Sequence, residues 1–219
     1  MQLTTPRAIL FDLDGTLADT APDLAGAVNR LRHQRGLEAT PYHLLRPFAS
    51  AGARGLIGAA FGLKPDDDGY EELRVAFLEN YEANLALESR LFDGVEALLD
   101  HLQANGLSWG IVTNKAARYT DALVPQIGLQ QAGCVISGDT TPYAKPHPGP
   151  LLEAARRLGL APQDCWYVGD DLRDIQAGQA AGMHTVAAAW GYCGQTEPLS
   201  WGADALADNP LQLINLLHV

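Results

Sequence analysis

The sequence predicts an α/β fold: a doubly wound parallel-sheet core with an all-helical cap inserted after its first strand. Three observations carry this. Apolar runs of strand length recur at residues 7–12, 108–113, 134–137, 165–169 and 184–189, bounded by Gly, Asp or Asn. Continuous runs of this kind suit a parallel sheet covered on both faces. Helical patterns separate the later runs, as in successive βαβ units, whereas residues 20–88 hold no convincing strand and read as helices.

The first run, RAILFD, ends on Asp12. Helical stretches follow at 23–36, 53–62 and 70–87, with Pro41, Pro47 and Pro65 at the joints. The stretch at 70–87 is the longest of these and puts Leu73, Phe77, Leu78 and Tyr81 on one face. An insertion at this point lies over the carboxyl ends of the strands, where open α/β sheets bind ligands, which is the place for a lid. The expected division is 1–18 with 89–219 for the core and 19–88 for the cap. In the core, residues 94–104 carry apolar positions at 95, 98, 99 and 102, and 149–158 opens with Pro150 near the first turn. Residues 172–181 make a further helix. The acidic stretch at 65–72 (PDDDGYEE) lacks the alternating ligands of a calcium loop and reads as a solvated helix start.

The composition is that of a globular protein with ample core material: 219 residues, 47% hydrophobic and 19% charged. The net charge of −11 argues against nucleic acid or an anionic membrane as partner, since both need a basic face. It leaves room for a small anionic substrate, because a bound metal can make a local site positive. The only lysines are Lys64, Lys115 and Lys145. Cys134, Cys165 and Cys193 show neither metal spacing nor a disulfide framework, and the first two read as core residues. No leader pattern opens the chain and no apolar run approaches the roughly 20 residues of a membrane span, so a cytoplasmic protein is expected.

Four stretches at predicted strand ends carry chemistry. FDLDGT places Asp12 and Asp14 two residues apart, an arrangement that repels unless something relieves it. Thr113, Asn114 and Lys115 follow the second strand, as a helix cap or as an anion site. Lys145 stands in AKPHP, in a segment its prolines hold extended. VGDDLRD puts Asp170, Asp171 and Asp174 within five residues, which suits either a helix start or a hard cation. Each has a structural explanation alone, but the carboxyl rims of a parallel sheet converge on one crevice. A divalent metal there would relieve the repulsion. With Lys145 it could hold a phosphate beside a carboxylate, one aspartate acting as nucleophile and the other as proton carrier.

In this order, with a helical insertion between the first two, the four stretches resemble the haloacid dehalogenase superfamily over essentially the whole chain. The pattern is similar to its phosphoglycolate phosphatase group. SAGARGLI and WGYCGQTEPLSWGADALADNP are closer to the branch that includes N-acetylmuramic acid 6-phosphate phosphatases. The resemblance implies a Mg²⁺-dependent phosphomonoester hydrolase that works through an aspartyl-phosphate. It implies Asp12 as nucleophile and Asp14 as acid and base, with Mg²⁺ on Asp12, the Asp14 carbonyl and Asp170. Thr113, Asn114 and Lys145 would bind the phosphoryl group, and Asp174 would sit in the metal's outer shell. Asp171 would either add charge there or cap a helix. Arg54 is the expected substrate contact from the cap, and Lys115 is expected at the surface as a helix-start residue. The substrate would be a small anionic phosphomonoester, either phosphoglycolate or the bulkier sugar phosphate.

A dehalogenase on the same fold would need neither an acid at position 14 nor the pair at 170 and 171. A phosphonatase would want a cap lysine, and Lys64 sits beside Pro65 in an apparent loop. A phosphomutase with a water-excluding cap, or an inactive binding protein on this fold, are the remaining alternatives. The chain is expected as a monomer or homodimer, with Trp190, Tyr192 and Trp201 either on the core or at a dimer surface.

Overall fold

The computed structural model describes residues 5–217. Its first strand, β1 (Ala8–Phe11), is followed by a two-residue strand β2 (Ala18–Asp19) and then by four helices: α1 (Ala21–Gln34), α2 (Tyr42–Leu45), α3 (Gly52–Phe61) and α4 (Tyr70–Glu82). The chain returns through β3 (Arg90–Leu91), α5 (Val95–Ala104), β4 (Ser108–Val112), α6 (Ala117–Gln126) and β5 (Val135–Ile136). It continues with α7 (Gly149–Leu158), β6 (Cys165–Gly169), α8 (Leu172–Ala181), β7 (His184–Ala188), β8 (Ala205–Ala207) and α9 (Gln212–Leu216).

Six strands form a parallel sheet in the order β5-β4-β1-β6-β7-β8. The apolar runs are continuous because both faces are covered. Ile9 and Phe11 pack on one side with Val95 and Leu98 of α5 and Leu123 of α6. Ala8 and Leu10 pack on the other with Leu151 of α7 and Ala177 of α8. The chain moves from β1 out to β5 and comes back to β6 on the opposite flank of β1. The connections therefore diverge at the carboxyl end of β1, which opens a crevice there.

The cap helices have a core of their own, built on Leu24, Val28 and Leu31 of α1, Leu56 of α3, and Phe77 and Tyr81 of α4. Their joint with the sheet is the antiparallel ribbon of β2 and β3, which pairs Ala18 with Leu91 and Asp19 with Arg90. This ribbon of two short strands was not expected from the sequence, nor were α2, β8 and α9, and α6 was implied only by the helix start after Lys115. Leu73, Phe77 and Tyr81 are buried as expected, with Leu78 at the edge of that face. The stretch from Tyr70 stops at Glu82, five residues short of expectation, and α1 is the longer helix with 14 residues. Its apolar tail at Leu85 packs on the core in a loop, and Ala86 has a φ of 59°, incompatible with continuing the helix.

Cys134 and Cys165 are buried, as expected of core residues. The aromatic residues near the C-terminus pack on the chain itself: Trp201 with Ile175 and Ala187, Tyr192 with the cap, and Trp190 half-buried against the core. Among the described residues, no helix is long and apolar enough to cross a membrane.

Candidate active site

The β1 ladder continues one residue past the strand, the Asp12 N–H donating to Val168 O at 2.9 Å. Asp12 and Asp14 thus leave the carboxyl end of the central strand. The chain then turns sharply, with the N–H groups of Thr16, Leu17 and Ala18 all directed at Leu13 O. Gly15 makes the turn possible: its φ is 90°, and a Cβ there would stand 2.2 Å from Asp170 Oδ2.

Asp170 follows the end of β6 and is fully buried. Its Oδ1 accepts from the Thr16 hydroxyl at 3.0 Å, and its Oδ2 from the Ser50 hydroxyl at 3.1 Å and the Tyr192 N–H at 2.9 Å. Gly191 presses on it so closely that a Cβ would lie 2.2 Å from Asp170 Cβ. Burial foremost, with Asp12 and Asp174 adding their charge, pushes the Asp170 carboxyl up to about 8.

Lys145 comes from the loop before α7. The Asn114 carboxamide holds its main chain at two points, accepting from Lys145 N at 2.9 Å and donating to Lys145 O at 3.0 Å. The ammonium reaches Val112 O (3.0 Å), the Tyr167 hydroxyl (2.7 Å), Asp174 Oδ1 (2.7 Å) and Asp12 Oδ1 (2.9 Å). Burial works against its charge, but Asp12 and Asp174 outweigh burial and its pKa is raised. Asp12 Oδ1 also accepts from the Leu13 N–H at 2.8 Å, so both of these bonds fall on Oδ1 and leave Oδ2 for chemistry. Burial pushes the Asp12 carboxyl up to about 7, against the pull of Lys145 and with the help of Asp174 and Asp14.

Asp12, Asp170 and Asp174 offer carboxylate oxygens that all lie within 4.8 Å of one another, and all three residues are buried. One ammonium serves this cluster, and it touches Asp12 and Asp174 but not Asp170. Buried carboxylates in excess of nearby cations, walled by glycines at van der Waals limit, fit a small hard cation. Both oxygens of Asp174 are engaged within the protein. Its Oδ1 takes Lys145 and the Tyr167 hydroxyl, and its Oδ2 accepts from the Asp171 N–H at 3.1 Å.

Asp171, for which two roles were open, caps α8. Its carboxylate accepts from the Arg173 N–H at 2.9 Å and pairs with the Arg173 guanidinium at 2.7 Å. With Asp174 at the third helical position it completes a capping box. Thr113 is buried at the end of β4 and lines the cavity together with Asn114. Because the Asn114 carboxamide is taken by Lys145, its main-chain N–H is the group left for an anion.

Lys115 is not at the surface. Its side chain is only 7% exposed and donates to Asp14 Oδ1 at 2.8 Å, beneath the Tyr81 ring at 4.8 Å. Burial opposes its charge, but Asp14 and Tyr81 outweigh burial and its pKa is raised. The sequence places Lys115 just before a helix; only the fold brings α4 over it and Asp14 against it. Thr20, which donates to the same Asp14 Oδ1 at 2.5 Å, was likewise not foreseen. Arg54 is not brought into the cavity. It is exposed on α3 and lines a neighbouring cleft with Phe48, Gly55 and Arg173.

Asp12, Asp14, Thr113, Asn114, Lys115, Lys145 and Asp174 line one cavity of about 260 Å³ between the strand ends and the cap. Carboxylates from two strand ends, a buried ammonium and a trio of acids that could hold a cation lie together beneath the helices of the inserted segment. The chain belongs to the haloacid dehalogenase-like hydrolase family, whose model matches residues 6–182. It is a phosphatase, similar to a phosphoglycolate phosphatase of Xanthomonas campestris pv. campestris at 50% identity, with 95% of each chain covered. It is also similar to an N-acetylmuramic acid 6-phosphate phosphatase of Pseudomonas putida at 43% identity, with 94% of each covered. Among solved structures, one described as a predicted phosphoglycolate phosphatase from Haemophilus somnus superposes with a TM-score of 0.86 at 27% identity, covering 98% of this chain and 99% of the other.

Proposed function

We propose that the protein is a Mg²⁺-dependent cytoplasmic phosphomonoesterase that uses Asp12 as its nucleophile, with residues 19–88 as a cap over a core of 1–18 and 89–219. The observation that supports this best is the Asp12 carboxylate, with Oδ1 held by Leu13 N–H and Lys145 and Oδ2 left to attack. Asp12, Asp170 and the Asp14 main-chain carbonyl would hold the metal, which supplies charge neutralisation to the phosphoryl oxygens when bound. Phosphoryl transfer asks the protein mainly for positioning and charge stabilisation.

Asp12 Oδ2 attacks phosphorus, the ester P–O bond breaks, and an aspartyl-phosphate results. Asp14 gives its proton to the departing oxygen. In the second half Asp14 takes a proton from the attacking water, the acyl-phosphate bond opens, and Asp12 and inorganic phosphate are released. Thr113, the Asn114 N–H and Lys145 bind the phosphoryl oxygens. Asn114 and Asp174 fix Lys145 from either end, so the ammonium cannot swing away from Asp12.

The similarity to the Xanthomonas protein supports phosphoglycolate as substrate, and the similarity to the Pseudomonas protein supports the sugar phosphate. Steady-state hydrolysis of 2-phosphoglycolate and N-acetylmuramic acid 6-phosphate, side by side with Mg²⁺, tests the proposal. A hundredfold preference in kcat/KM corresponds to about 2.7 kcal/mol of transition-state discrimination. Asp12→Asn should abolish turnover of either compound; activity that survives it overturns the mechanism.

A further inference from the structure

A hydrogen bond crosses from the cap to a carboxylate of the acidic trio. Between α2 and α3 the cap makes a tight 3-10 turn, Arg46–Ala51. Ser50 of this turn lines the cavity, and its hydroxyl donates to Asp170 Oδ2 at 3.1 Å. Two arginines hold the turn in place. Arg46, in the turn itself, donates to Gly191 O at 3.1 Å and lies over the Tyr192 ring at 5.0 Å. Arg173, in the core, donates to Ser50 O at 2.9 Å. The turn is therefore docked on the segments on either side of Asp170, at residue 173 after one strand and at residues 191–192 after the next.

The Asp170 carboxylate is unevenly filled. A carboxylate oxygen offers about two acceptor sites. Oδ2 uses both, one for the Ser50 hydroxyl and one for the Tyr192 N–H at 2.9 Å. Among the described residues, Oδ1 takes only the Thr16 hydroxyl, at 3.0 Å, and keeps one site open. With bonds at both oxygens the carboxylate cannot turn about Cβ–Cγ without breaking them, so the open site keeps one direction. A ligand already fixed in direction loses less freedom when it takes up a cation.

We infer that Ser50 is a positioning residue of the cation site: from the cap, it fixes Asp170 in the orientation that offers Oδ1 to Mg²⁺. This rests on the proposal above that Asp170 holds Mg²⁺. The hydroxyl belongs to the cap and the carboxylate to the core, so docking of the turn and uptake of the cation favour each other by the same factor. Mg²⁺ binds better under a docked turn, and the turn is held better once Mg²⁺ is bound.

The test uses calorimetric titration with Mg²⁺ and hydrogen exchange at residues 46–51, without substrate, on wild type, Ser50→Ala and Arg46→Met, with thermal unfolding of each metal-free protein. Ser50→Ala should raise the Kd for Mg²⁺ about tenfold, the effect of one hydrogen bond to a charged group. Arg46→Met loosens the turn without touching Asp170 and should also raise the Kd, which keeps the test open if Ser50→Ala does not fold. Mg²⁺ should slow exchange at 46–51 in the wild type and lose that effect in Ser50→Ala. Unchanged affinity in either variant overturns the inference. So does tighter binding, which would show that the hydroxyl stands in the cation's way, and so does exchange at 46–51 that Mg²⁺ leaves unaltered in the wild type. A wild type that binds no Mg²⁺ would instead strike the metal reading on which the inference rests.

Discussion

Two glycines set the space around Asp170, one of the carboxylates proposed to hold the metal. Gly15 and Gly191 both press on Asp170, and a methyl group on either would overlap it at 2.2 Å. Gly15→Ala adds an unfavourable φ to that overlap. It is expected to destabilise the protein by about 2–4 kcal/mol and to weaken Mg²⁺ binding at least about tenfold. Urea unfolding and calorimetric titration measure the two effects, and normal Mg²⁺ affinity would show that Asp170 is not a ligand. Lys115→Met leaves the Asp14 carboxylate, among the described residues, with Thr20 as its remaining side-chain donor in a buried setting. Breaking a buried pair from one side costs about 3–5 kcal/mol. The hydroxyl that remains reduces this, so a loss of about 2–4 kcal/mol in urea unfolding is expected; a loss below about 1 kcal/mol would mean that Lys115 contributes little to holding Asp14.

At the scale of elements, the cap is tied to the core where the chain leaves it. The Asp23 carboxylate on α1 accepts from Glu88 N–H (3.0 Å), Ser89 N–H (2.8 Å) and the Ser89 hydroxyl (2.6 Å). These bonds hold the segment after α4 against α1, just before β3. Asp23→Ala leaves buried donors unpaired and should cost about 2 kcal/mol. Cleavage by a non-specific protease should also speed up within residues 83–89, and an unchanged digestion pattern would refute this. At the start of α8, Asp171 acts through the helix end. Asp171→Asn keeps an acceptor for the Arg173 N–H, while Asp171→Ala should cost about 1 kcal/mol. A much larger loss of activity than of stability in Asp171→Ala would give Asp171 a role in the site beyond capping.

For the whole molecule, the buried acids link stability, pH and metal. Asp12 and Asp170 have carboxyls pushed up to about 7 and about 8, from an ordinary value of 3.8. The metal-free folded protein therefore holds protons that the unfolded chain has released. The stability this contributes is fully present below about pH 4 and is lost as the pH rises through 7 to 8. A divalent cation replaces those protons. Added Mg²⁺ should then raise Tm more at pH 8 than at pH 5.5, and binding near pH 6.5 should release protons, measurable by calorimetry in buffers of different ionisation enthalpy. Proton release absent at pH 6.5 would mean that the two carboxyls are already ionised in the metal-free protein.

The sequence by itself determined five of the six sheet strands, the place of the insertion and the residues at the strand ends. Continuous apolar runs such as Ala8–Phe11 and Cys165–Gly169 are visible because both faces of a parallel strand are buried. Asp12, Asp170 and Thr113 were legible because each follows such a run, and local order places a residue next to a strand end without long-range information. Only the tertiary structure decided what those residues touch. Lys115 looked like a surface residue until α4 closed over it, and Asn114 turned out to hold Lys145 across 31 positions of sequence. Arg54 sits in the right part of the sequence, but the turn of α3 points it into a neighbouring cleft. Tyr81 read as one more apolar position on a helix face; that its ring covers Lys115 and meets Tyr119 follows from the docking of α4 on another element. The physical reason is the same in each case. Burial along a strand or helix is a periodic property written locally in the chain, whereas a hydrogen bond between distant segments depends on how those segments are docked.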